Sequence, residues 1–209
     1  MKARIPIRVA AAVAVLAALA APSRGAEETF VFDKAHSTLG FRIRHVVTKI
    51  NGRFKDFDGM IWIDRQNAAA SKVELTIRAA SIDTSNDNRD QDLRSANFFE
   101  VEKFPTITFK STKIEPKGSD AFVVTGDLTM HGVTKSIQVP VTSNGFAKMG
   151  KTEKAGFSVS FPLNRKDYGV TWNRTLDQGG LLLGEDVEIV IEVEANKKEA
   201  EAPKAGSGR

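Results

Sequence analysis

The stretch Lys72-Val73-Glu74-Leu75-Thr76-Ile77-Arg78 alternates polar and apolar side chains without a break. A period of two puts Val73, Leu75 and Ile77 on one face and the charged residues on the other, the mark of a half-buried strand. The same beat recurs on either side: Leu39, Phe41 and Ile43; Ile61 and Ile63; Ile107 and Phe109; Phe122, Val124, Gly126, Leu128 and Met130. It continues in Ile137, Val139 and Val141, in Phe157, Val159 and Phe161, and in Val187, Ile189, Ile191 and Val193. With Thr29 to Phe32 added, these segments give about nine candidate strands. One internal segment, about Asn88 to Phe99, reads as helical, with Ser85 and Asp87 as N-caps and Asp90 and Asp92 early. Without helices to carry parallel crossovers, the strands should run antiparallel through turns such as Pro116 to Asp120 and Ser143 to Gly145. Both a closed barrel and a sandwich satisfy this pattern, and closure is favoured because it removes exposed edges.

Outside this region the composition changes. Residues 1–26 carry four basic and no acidic side chains, then an apolar run from Val9 to Ala21 and small residues to Ala26. This is the layout of a secretory signal peptide with cleavage somewhere in 20–26, and the apolar run is short for a membrane span. Residues 196–209 hold no apolar side chain larger than Ala and read as a solvated, disordered tail. One domain, 27–195, remains, of a size that needs no staple.

Removing residues 1–26 leaves 26 basic and 26 acidic residues, so the high whole-chain pI does not describe the mature domain. No broad positive field remains to steer a nucleic acid. The absence of cysteine excludes thiol catalysis and thiolate metal sites.

Local chemical motifs are scarce. Neither a zinc-protease helix, a phosphate-binding glycine loop nor a nucleophile elbow occurs. Asp83, Ser85 and Asp87 imitate the start of a calcium loop, but Asn88 occupies its glycine position and Arg94 that of its bidentate glutamate. His36, His45 and His131 could serve a metal or act as a base, yet no spacing supports either role. Arg89 and Arg94 are close enough to share one end of a cavity and hold a head group, or with Asp90 to tie the helix to the barrel. Thirteen Phe against 2 Trp and 1 Tyr means that most rings lack a polar handle, which suits an apolar guest as well as an ordinary core.

Several stretches together resemble the YceI-like family: Asp33, His36, Ser37, Phe41 and His45; Gly52, Phe54, Phe57 and Gly59; and Arg89, Asp90, Leu93, Arg94, Phe98 and Phe99 with the Phe104-Pro105 step. Gly126 to Lys135, Arg165 to Gly169, and Gly179, Gly180 and Gly184 extend the similarity across the mature domain. The resemblance implies an extended lipocalin-like antiparallel β-barrel of about eight strands with one short helix. It also implies a periplasmic protein that holds a polyisoprenoid, such as a polyprenyl phosphate or a quinone, in its interior without a catalytic residue, cofactor or metal. Many relatives carry histidine where this chain has Asp92, and an acid there disfavours a phosphate nearby.

On this reading the ligand-binding residues are Phe41, Ile43, Phe54, Phe57, Phe98, Phe99, Phe109 and Leu128 along the tunnel, with His45, Arg89 and Arg94 at its polar end. The alternatives are a hydrolase or isomerase using a histidine base, and a structural partner of a membrane redox or stress protein through transient contact with inner-membrane proteins. Edge strands left by imperfect closure would permit a homodimer.

Overall fold

The computed structural model describes residues 27–199. The signal-peptide reading and residues 200–209 of the tail lie outside them. Eleven strands form one antiparallel sheet: β1 (Glu28–Phe32), β2 (Thr38–His45), β3 (Thr48–Phe54), β4 (Phe57–Ile63), β5 (Lys72–Arg78), β6 (Ile82–Asp83), β7 (Thr106–Pro116), β8 (Ala121–Met130), β9 (Val133–Met149), β10 (Thr152–Asn164) and β11 (Leu183–Lys197). The helix is α1 (Asp87–Arg94). Strands β1, β4, β5, β7, β8, β9, β10 and β11 pair in that order, and β11 pairs back to β1, which closes an eight-stranded barrel.

The closure is split along one strand. The last residues of β11 pair with β1, as Phe32↔Ala195 and Phe30↔Lys197, while Leu183 to Glu192 on the same strand pair with β2. The barrel is therefore shut by β1 at one end, and by β2, β3 and β6 with α1 at the other. We call these the β1 end and the α1 end.

Several sequence expectations need correction. β3 and β6 were not among the nine strands, because Asn51 and Gly52 punctuate the one and the other is two residues long. Ser143 to Gly145 is not a turn: the β9–β10 register shifts there, leaving Asn144 as a bulge with Gly145 at φ 94°, and the hairpin turns at Gly150 and Lys151. Ser, Asn and Gly mark a bulge as readily as a turn. The helix starts one residue earlier than expected and stops at Arg94. Asn86, not Ser85 or Asp87, caps it by accepting from the Arg89 N–H at 3.0 Å. The Ser95 hydroxyl donates to the Asp92 carbonyl at 2.7 Å, and Phe98 and Phe99 follow in turns. Asn196 and Lys197 belong to β11 rather than to the tail, since β1 supplies their backbone partners.

The packed core comprises three clusters, the smallest of which, Phe98, Val170 and Leu183 with Leu93 and Trp172 against it, lies at the α1 end. Near the β1 end, Phe30, Ala155 and Ala195 are almost fully buried with Ile61 and Val193. Further along, Leu39, Phe57, Ile77, Ala79, Ile107, Met130 and Tyr168 form a second cluster.

Candidate functional site

In a barrel whose interior is filled by side chains, the inward residues of every strand are fully buried. Here many are not. Phe41, Ile43, Phe109, Leu128, Phe157, Val159, Phe161, Val187, Ile189 and Ile191 all face inward yet are only half-buried, because they border a cavity of about 890 Å³. Its wall runs from His45, Asn88, Arg89, Asp92 and Trp172 at the α1 end to Arg65, Ser119 and Phe146 at the β1 end.

The lumen stays open because three phenylalanine rings lie along the wall instead of across it. A Cβ on Gly52 would sit 2.2 Å from the Phe41 ring, one on Gly59 2.6 Å from Phe32, and one on Gly126 2.5 Å from Phe109. Each ring thus occupies the space that a side chain on the neighbouring strand would need. Phe41, Phe54 and Phe99 then form a chain of rings, with centroids 5.9 and 5.8 Å apart.

Of the residues singled out from sequence, Phe41, Ile43, His45, Phe54, Arg89, Phe98, Phe99, Phe109 and Leu128 lie on this wall. Phe57 does not: at 2 % exposure it sits in the second core cluster, with Phe54, Leu75 and Phe99 packed against that cluster. Nor does Arg94, whose Nε and Nη2 each donate at 2.8 Å to the carbonyls of Ala80 and Ile82. It tethers α1 to β6, the structural alternative weighed for it. Both residues are corrections to the expected lining. The inward faces of β10 and β11 were legible as strand alternation but were not assigned to the wall, and Trp172 and Arg165 carried no periodic signal.

The polar groups at the two ends differ. Arg89 donates to the Thr84 hydroxyl at 2.7 Å and carbonyl at 2.8 Å, and buried Asp90 accepts from the Thr84 backbone N–H at 2.9 Å. Among the described residues no ion pair neutralises Arg89 or Asp92. At the β1 end, Arg65 pairs with Glu28 and Glu153, each at 2.7 Å, and Lys197 bridges the same two carboxylates at 2.8 and 3.2 Å. The bonds from Arg65 and Lys197 lower the pKa of Glu153. Also toward the α1 end, Arg165 is 5 % exposed on the wall, donates to the Gly184 and Val170 carbonyls, and has its pKa lowered by burial.

The histidines do not converge. His45 lies on the wall, whereas His36 Nδ1 is 2.9 Å from Asp33 and His131 Nδ1 is 3.1 Å from the Tyr168 carbonyl. Asp33, His36 and Glu194 come close enough to chelate a cation, but the Lys154 ammonium already bonds both carboxylates.

Residues 30–195 match the model of the YceI-like domain. The chain belongs to the YceI-like family. A UPF0312 protein of Staphylococcus aureus is 37% identical over 168 residues, covering 79% of this chain and 95% of its own. The YceI protein of Campylobacter jejuni is 37% identical, with a TM-score of 0.64 over 80% of this chain and 96% of that one. BcnA of Burkholderia cenocepacia is 26% identical, with a TM-score of 0.68 over 78% and 98%. A polyisoprenoid binding domain from Saccharophagus degradans, at 16% identity and a TM-score of 0.61 over 81% and 98%, shares the fold.

Proposed function

We propose that this YceI-like protein is a periplasmic carrier that holds one long isoprenoid lipid in its lumen, without catalysing a reaction. The observation that carries the reading is the continuous apolar cavity, kept open by rings folded onto glycines. The ligand class is the one for which the S. degradans domain is named. At about 30 Å³ per methylene-sized group, the volume of a water in the liquid, 890 Å³ takes on the order of thirty such groups, or about six five-carbon units. Each unit contributes on the order of 3 to 4 kcal/mol before ordering costs. A chain of this kind binds without a specific polar contact.

The head group belongs at the α1 end, where Arg89 and Asp92 line the cavity without ion partners, rather than at the β1 end, where Arg65 is already neutralised. A cation and an acid three residues apart on α1, both lining the cavity, suit a neutral head with both acceptor and donor character better than a doubly charged phosphate. Native mass spectrometry of the protein purified from its export compartment, followed by release and identification of the bound mass, tests the proposal. A prenyl quinone or prenol is the expected result. A clean apo mass that persists after incubation with prenyl lipids overturns the carrier reading.

The hydrolase or isomerase alternative narrows to His45, the one histidine on the wall. Its test is turnover of a prenyl substrate that disappears in His45→Ala.

A further inference from the structure

The tip of the β2–β3 hairpin, Val46 and Val47, is anomalous in two independent respects. Val46 has φ 52°, in the left-handed region that a β-branched side chain rarely occupies. Val47 is 95 % exposed, the most exposed large hydrophobic among the described residues. Two-residue hairpin loops place glycine or asparagine where φ is positive, so a valine at position 46 does not serve the turn, and the exposed Val47 side chain is not held there by packing.

The tip is held firmly in place. The Val46 N–H donates to the Leu182 carbonyl at 2.8 Å, and Arg44 donates to the carbonyls of Val46 and Leu181 at 3.2 and 3.1 Å. It also adjoins the cavity, since His45 and Ile50 on either side of the tip, and Leu182 beneath it, all line the wall. The charge around it is mainly positive: from Arg42 to Ile50 the hairpin carries exposed Arg42, Arg44 and Lys49 and no acid, and Glu188 on β11, which pairs with Arg42 at 3.5 Å and Lys49 at 3.1 Å, offsets only one of the three.

From these observations we infer that the Val46–Val47 tip docks the α1 end of the barrel onto an anionic lipid bilayer, the valines entering the interface and the flanking cations meeting the head groups. Apolar side chains at an interface gain by burial, and basic residues near an anionic surface add an attraction that fades with salt. The inference rests on the carrier reading only for its purpose: a chain leaving the lumen past His45 and Leu182 would pass directly into lipid, without its tail crossing water.

The test is co-flotation of the full-length mature protein with vesicles of phosphatidylcholine alone, or with about one-third phosphatidylglycerol, at low and high salt. Binding to the anionic vesicles that weakens with salt is expected. Val47→Asp should reduce it roughly tenfold or more, and Lys49→Gln about fivefold, the equivalent of about 1 kcal/mol per basic residue. Met149→Asp, which alters an exposed hydrophobic residue on the β9–β10 hairpin at the opposite end, should leave it unchanged. Absence of binding by the unaltered protein, or equal loss in Met149→Asp, overturns the proposal; so does capture by a membrane protein but not by protein-free vesicles. Val47→Asp protein loaded with a prenyl lipid from detergent separates the two readings. Normal loading with lost vesicle binding supports docking, whereas failure of all variants to load counts against the carrier and leaves the flotation result to judge docking alone.

Discussion

At the β1 end the barrel is shut by a strand, a packed core and a ring of charge; at the α1 end it is shut by a short hairpin, a two-turn helix, a smaller cluster of Phe98, Val170 and Leu183, and hydrogen bonds to backbone carbonyls. Phe30 is fully buried between β4 and β11, and Glu28, Arg65, Glu153 and Lys197 alternate in sign around the rim outside it. Opposite them, α1 is fastened by Arg94 to Ala80 and Ile82 and by Asp90 to Thr84, while Arg89 and Asp92 line the lumen with no ion partner among the described residues. The contrast teaches that one end supplies cohesion and the other supplies contact with what enters. Backbone-directed bonds can hold a helix in place without filling the space beside it.

The sharpest way to break this comparison is Phe30→Ala. Loss of a fully buried ring should lower the unfolding free energy by about 3 to 5 kcal/mol in urea titrations. A cost below about 1 kcal/mol would mean that the β1 end is not where cohesion resides. Gly52→Ala probes the lumen instead. Its methyl must displace the Phe41 ring, so affinity for the longest accepted prenyl chain should fall by roughly one isoprene unit, on the order of 3 kcal/mol, while stability changes by about 1 kcal/mol. Chain-length profiling by competition reads the first quantity and denaturation the second; equal affinity for all lengths would show that the ring does not border the ligand.

Acid distinguishes the ends next. The hydrogen bond from His36 holds the Asp33 pKa down at about 2. A depressed carboxylate pKa stabilises the fold above its ordinary value near 4, and that stability is lost as pH falls through the folded value. Asp33→Asn should therefore flatten the stability curve between about pH 4 and pH 2, and an unchanged slope there would remove the latch between the β1–β2 loop and β11. The smallest effect is expected from Arg65→Ala, about 1 kcal/mol or less and diminishing with salt, since its side chain is 38% exposed. A larger, salt-independent loss would show that its stacking over Phe146, 4.1 Å away, matters more than its charge.

Alternation made the barrel legible, because a period of two survives whatever a strand packs against; the inward sets of β5, β8, β10 and β11 are all plain in the sequence. Phe57 was misassigned because alternation gives a face and not a depth: it points inward as Phe54 does, yet other side chains lie over it. Arg94 was ambiguous because its partners are carbonyls of residues 12 and 14 positions away, which no side-chain pattern records. Gly145 and Asn144 carried the usual signs of a turn, and only the β10 register reveals a bulge. Trp172 and Arg165 lie outside any regular strand, so their place on the wall depends wholly on the fold that surrounds them.

The pairing of Phe41, Phe32 and Phe109 with glycines across the strand has a consequence for how such a protein changes its cargo. The bore is set at positions that never meet the guest: a single methyl added behind a ring narrows the passage as surely as a bulkier residue in front of it. Selection for a shorter or slimmer lipid could therefore act on Gly52 while every wall-lining residue stayed the same, and two relatives with matching walls could still carry different molecules.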